Sequence, residues 1–175
     1  MWFLHYTSGI GPAFARTPHA ASLRVLWIQS DTQDALYAPF AVEDAHALWG
    51  TPHLSGLEEI RIEGYRMGSD GILPLAKAEH LRSLRKLRLG SLGLGDAGVE
   101  ALLRFPHLSN LETLQLDDNR LSRAAGRMLA EAPGLANLKK LSLWFNTRLE
   151  RDADTVRLLR RRFGRRISFT PATAS

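Results

Sequence analysis

The 175 residues include no cysteine, which excludes a disulfide scaffold or a thiolate metal centre and makes a reducing, cytoplasmic location the expectation. Lysine is scarce, with 4 residues against 19 arginines. That bias and the abundant alanine suggest the codon usage of a GC-rich bacterium, which is a statement about composition and not about function. No apolar run approaches the roughly 18 residues that a membrane span requires. Residues 1–15 end on Ala13-Phe14-Ala15, but they have no basic leading region and are interrupted by His5, Thr7, Ser8, Gly9, Gly11 and Pro12, which argues against a signal peptide. With 45% hydrophobic and 23% charged residues, the composition is that of a small globular domain.

What the chain does have is a repeat. Leu54, Leu57, Ile60 and Ile62 recur as Leu81, Leu84, Leu87 and Leu89, then as Leu108, Leu111, Leu114 and Leu116, then as Leu135, Leu138, Leu141 and Leu143, with a constant spacing of 27 residues. A fixed period of this length means stacked supersecondary units, none of which can bury its apolar face alone. A degenerate first copy, Leu23, Leu26 and Ile28, begins 34 residues before the second, and residues 166–169 read as a truncated sixth. The end of each phrase alternates apolar and polar residues, as a strand with one buried face does. Each is followed by an amphipathic helix, expected at 42–49, 71–76, 96–103, 123–129 and 153–159. Pro74 should break the second of these, because proline lacks the amide and clashes with the preceding turn. Leu48, Leu75, Leu102, Leu129 and Val156 share a register and are expected to form one buried column.

In the fourth copy the phrase continues through Asn119 and Leu121, completing L-x-x-L-x-L-x-x-N-x-L. The chain thus resembles leucine-rich repeat proteins, and a strand plus a full helix in each repeat resembles their ribonuclease-inhibitor-like subclass. The fourth and fifth copies, Leu111–Leu116 and Leu138–Asn146, and the ending at 159–169 also look similar to bacterial proteins in which a companion domain precedes the repeats, here without that companion. A fragment, a truncated relative and a stand-alone array all fit. The resemblance implies an α/β solenoid, with a parallel β-sheet on the concave face and helices on the convex face. It spans residues 20–170, with copies starting near 20, 54, 81, 108 and 135, after an irregular cap at 1–19 and before a disordered tail at 171–175. The motif asparagine is present as Asn119 and Asn146 but replaced by Leu92, Tyr65 and Asp31 in the earlier copies. Their turns must satisfy their backbone groups by other means.

The alternating residues of the strands should face outward and carry the function. They include Trp27, Glu59, Arg61, Glu63, Lys86, Arg88, Gln115, Asp117, Lys140 and Trp144. The two tryptophans stand where a polar residue would be cheaper, as interface anchors do, unless the chain ends cover them. A second candidate surface is basic: Arg157, Arg160, Arg161, Arg162, Arg165 and Arg166, within a net charge of +5. It fits phosphates or an acidic partner, or simply the solvated face of a terminal capping helix. His19, His53, His80 and His107 share a register, but no Asp, Glu or Cys accompanies them in register to complete a metal site. Residues 90–95 carry three glycines without the order of a phosphate or dinucleotide loop. Adjacent carboxylates on a strand point to opposite sides, and no nucleophile, base and orienter suggest themselves.

The expectation is therefore a non-catalytic module without cofactor or metal that binds a protein partner through its concave face. The alternatives are a nucleic-acid-binding module using the arginine-rich end, and the recognition arm or remnant of a larger effector or enzyme.

Overall fold

The 27-residue spacing is the register of a parallel sheet. In the computed structural model, which describes residues 2–5, 9–29 and 40–170, strands β3 (Glu59–Glu63), β4 (Lys86–Gly90), β5 (Thr113–Gln115) and β6 (Lys140–Ser142) lie side by side. Ile60 pairs with Leu87, Leu87 with Leu114, and Leu114 with Leu141. The irregular spacings are absorbed in the connections. Strand β2 (Val25–Gln29) still pairs Leu26 with Ile60, and β7 (Ile167–Ser168) pairs Ile167 with Leu141.

The sheet reaches further toward the N-terminus than the repeat does. Residues 1–19 were expected to be irregular, yet Trp2–His5 forms strand β1, parallel to β2, and Ile10–Ala15 forms helix α1. The buried Asp44 side chain ties this unit down by accepting the amides of Gly9 and Gly11 at 2.9 and 3.1 Å. Among the described residues the sheet has seven strands, ordered in space as in sequence.

Each strand returns through a helix. Helices α2 (Val42–Gly50), α3 (Gly68–Ile72), α4 (Gly95–Leu102) and α5 (Arg123–Glu131) pack each against the next. Pro74 acts as expected, since α3 gives way to a 3₁₀ turn over Leu73–Lys77. Leu48, Leu75, Leu102 and Leu129 form the buried column. Val156 does not join it. An additional turn, α6 (Thr147–Glu150), precedes α7 (Ala153–Phe163) and rotates the last helix so that Thr155, Leu159 and Phe163 face inward. Parallel strands are usually covered on both faces. Here β2 and β3 alternate between buried and half-buried residues, so one face stays open.

The turns after the strands are built on a second periodicity. Gly64, Ser91, Asp118 and Phe145, spaced 27 apart, all have positive φ, at 84°, 54°, 50° and 61°. Glycine takes this conformation freely, whereas a bulky L-residue is strained in it. Beside that column, the Asn119 side chain accepts the amides of Leu92 and Leu94, both at 3.2 Å, and donates to the carbonyl of Asp117 at 3.0 Å and to that of Leu89. Asn146 accepts the amides of Asn119 and Leu121, both at 3.0 Å, and donates to the carbonyl of Leu116 at 2.9 Å. Each asparagine therefore closes the turn of the copy before it. Leu92 has no such side chain, and its backbone carbonyl alone accepts Met67 and Gly68 N–H at 3.1 and 3.0 Å. The Asp31 position and the tail at 171–175 lie outside the described residues.

Candidate functional site

The open face of the sheet brings the alternating residues into three rows. The first contains Val25, Glu59, Lys86, Thr113 and Lys140, and the second Trp27, Arg61, Arg88, Gln115, Ser142 and Ser168. The third contains Gln29, Glu63 and Gly90, continued by Asp117 and Trp144 at the same 27-residue interval. Thr113 and Ser142, at alternating positions of the same face, are buried.

The charges that alternate from copy to copy neutralise one another laterally. The Arg61 guanidinium lies 4.1 Å from the Trp27 ring centroid and bonds Glu63 at 2.7 Å. Glu59 accepts Arg88 Nε at 3.0 Å and pairs with Lys86 Nζ at 3.3 Å. Gln115 links the two groups, accepting Arg88 Nη1 at 3.3 Å and donating to Glu63 at 3.5 Å. Cations attract an aromatic face, and a guanidinium also stacks on it, so Trp27 is half-covered and serves the network rather than standing free.

The C-terminal side of the face differs. Asp117 accepts the Ser142 hydroxyl at 2.6 Å and the Trp144 amide at 2.8 Å, with no cation in ion-pair contact among the described residues. Burial pushes its carboxyl above the ordinary aspartate range, the nearby Glu63 charge adds to the rise, and the bonds from Ser142, Trp144 and Gln115 oppose it. Beyond it Trp144 and Phe145 are 37% and 59% exposed, and they are edge-to-face neighbours with centroids 6.3 Å apart. The Phe145 amide donates to Thr170 Oγ1 at 2.6 Å, and that hydroxyl donates to Glu150 at 2.9 Å. Lys140 is exposed in the first row, at the other end of the same strand. Sequence reasoning missed Phe145. Its signal was its place in the column of Gly64, Ser91 and Asp118, where a large side chain is out of character.

The six arginines of the C-terminal end do not form one free surface. Arg166 turns back under the last copy, donating to the carbonyls of Leu138 at 2.9 Å, Phe163 at 3.1 Å, Arg162 at 3.2 Å and Ala136 at 3.3 Å. Arg157 pairs with Asp154, Arg160 lies 5.7 Å from the Phe169 ring, and Arg162 lies 5.9 Å from that of Phe163. Arg161 and Arg165 extend into solvent. Arg160, Arg161 and Arg162 also occupy the last turn of α7, where cations complement the helix dipole.

The histidine column lies in the corners before the strands. His107 contacts the Glu79 carbonyl at 2.8 Å, and burial, then the neighbouring His107, push His80 below the ordinary histidine range. Among the described residues no group of three or more His, Cys, Asp or Glu side chains is placed to hold a metal, and no helix is long and apolar enough to cross a membrane. Comparison of the chain with protein-family models gives no match, and comparison with curated proteins gives none either.

Proposed function

We propose that this chain is a leucine-rich repeat module of the ribonuclease-inhibitor-like kind, non-catalytic and at home in a reducing compartment, that binds a protein partner through the concave face of its sheet. The repeat assignment is supported by the constant strand register and by Asn119 and Asn146, whose side chains close successive turns as the family's asparagine does. The functional assignment rests on one observation. Trp144 and Phe145 present adjoining aromatic surface at the end of a polar, internally paired face, with Phe145 held at a φ of 61°. Exposed aromatics that can be fully desolvated are the usual anchors of protein interfaces, and surrounding charges set orientation and rate. Asp117 supplies a negative charge next to the pair, its carboxylate accepting the Trp144 amide. The arginine-rich end favours a protein over a nucleic acid, because four of its six guanidiniums already have partners within the chain.

The test is Trp144→Ala. The backbone of Trp144 makes the structural bonds, its carbonyl accepting Asp118 N–H at 2.8 Å, so truncating the side chain leaves them in place. A partner captured from native lysate should bind the variant more weakly by about 2 kcal/mol or more, with the melting temperature nearly unchanged. Collapse of stability with unchanged affinity per folded molecule would move the binding surface elsewhere.

A further inference from the structure

A cleft of about 400 Å³ opens along the turns that follow β3, β4 and β5, lined by Arg66, Ser91, Gly93, Asp118 and Arg120 among others. The repeat explains its shape. Arg66, Gly93 and Arg120 occupy one position in three consecutive copies, 27 residues apart, and the middle copy contributes no side chain. The gap it leaves is flanked by two arginines that stand two strand spacings apart, roughly 10 Å at the backbone. Both arginines are exposed, and among the described residues neither guanidinium has an ion-pair or hydrogen-bond partner. This separates them from Arg61, Arg88 and Arg166, each of which is engaged.

The repeat's turn geometry shapes the wall of the cleft. Arg120 has a φ of 58°, close to the 66° of Gly93 at the same position of the preceding copy. A left-handed conformation costs an L-residue about 1–2 kcal/mol relative to the right-handed one, and such strain concentrates where ligands are held. Ser91 and Asp118, joined by a 3.0 Å hydrogen bond from the hydroxyl to the carboxylate, also have positive φ. The cleft wall therefore carries three strained non-glycine residues.

We propose that this cleft binds a phosphate-type oxyanion between the guanidiniums of Arg66 and Arg120, either free or as a phosphoryl group on a larger molecule. The planar fork of arginine matches such oxygens in bidentate fashion. Two cations and one carboxylate, that of Asp118, line the cleft and leave it net positive. The three or four oxygens of a phosphate-type group offer enough acceptors to engage both guanidiniums at once. Asp118 weakens the site by repulsion, and its hydrogen bond from Ser91 holds the carboxylate at the wall of the cleft. The proposal stands apart from the Trp144 surface, and neither depends on the other.

Titration of the full chain with inorganic phosphate, followed by backbone amide shifts in NMR and compared with sodium chloride at equal ionic strength, tests it. Saturable shifts centred on residues 91–93 and 118–120 are expected with phosphate and not with chloride. Arg66→Gln and Arg120→Gln should each weaken binding by about tenfold or more, the loss of charge-assisted bonds being worth that much, while Arg161→Gln changes nothing. Asp118→Asn should tighten binding. Arg120→Gly removes the side chain and relieves the backbone, so retained thermal stability with lost binding separates a ligand role from a folding role. A phosphoserine peptide that binds tighter than both inorganic phosphate and its unphosphorylated form identifies a protein-borne phosphoryl group; inorganic phosphate binding at least as well identifies a free ion. Equal responses to phosphate and chloride, or equal losses with Arg161→Gln, would overturn the proposal.

Discussion

The turn of the third copy and the turn of the second follow similar backbone paths with different chemistry. In the third, Leu92 and Leu94 N–H are held by the Asn119 side chain, and Gly95 N–H by the Asn119 carbonyl at 3.0 Å. In the second, Met67 and Gly68 N–H share the single carbonyl of Leu92. A carbonyl has two lone pairs and can accept both, which is why the apolar Leu92 is tolerated there. The asparagine does more than accept, because its amide also reaches back to the Leu89 and Asp117 carbonyls. The turns of the third and fourth copies are thereby closed by side chains of the following copy, while the turn of the second is closed through the backbone carbonyl of Leu92. The contrast extends to the open face. Glu63 in the second copy is bonded by Arg61, whereas Asp117 in the fourth is held only by neutral donors.

Giving the fourth copy the chemistry of the third is the severest test of this contrast. Asn119→Leu leaves two buried amides and a buried carbonyl without partners, each worth about 1–3 kcal/mol, so denaturant unfolding should register a loss of at least about 3 kcal/mol. A loss below about 1 kcal/mol would mean that backbone groups can close any of these turns.

A smaller effect of opposite sign is expected where the fifth copy is given the residue of the second. Phe145→Gly removes a left-handed bulky residue, and the gain of about 1–2 kcal/mol is partly offset by the unfolded-state entropy of glycine, about 0.5–1 kcal/mol. Net stabilisation by up to about 1 kcal/mol, with partner binding impaired, would support a strained residue retained for contact. Destabilisation would make Phe145 part of the C-terminal cap.

The smallest effect is a pH dependence. Because burial raises the Asp117 carboxyl above its unfolded value, the folded state binds the proton more tightly. The stability that this group contributes is fully present below the ordinary aspartate range and declines as pH rises through the raised folded value. Asp117→Asn should abolish that segment of the decline in melting temperature between acid and neutral pH, whereas Glu63→Gln, which removes only the smaller charge contribution, should reduce it and leave the part due to burial.

Much of this arrangement was legible in the residues because burial in a stacked array is close to one-dimensional. Leu57, Leu84, Leu111 and Leu138 must meet the same core at the same place in each copy, so their spacing becomes the sheet register, and Pro74 ends α3 wherever the rest of the chain lies. Where the interval changes, the reading lost its footing. The inserted turn α6 rotates α7, moving Val156 out of the column and Thr155 into it. The strand at Trp2–His5 carries no copy of the phrase, so its pairing with β2 had no periodic signal to announce it.

The candidate sites divide along the same line. Sequence alone determined that Glu59, Lys86, Gln115 and Trp144 share a face, since side-chain direction along a strand has a period of two. Only the tertiary structure decided that Arg61 is engaged by Trp27 and Glu63, that Arg166 bonds four backbone carbonyls, and that Phe145 and Arg120 are held at positive φ. Those outcomes depend on which backbone and side-chain groups the neighbouring copy presents a few ångströms away, and a period read along one strand carries no information about that distance.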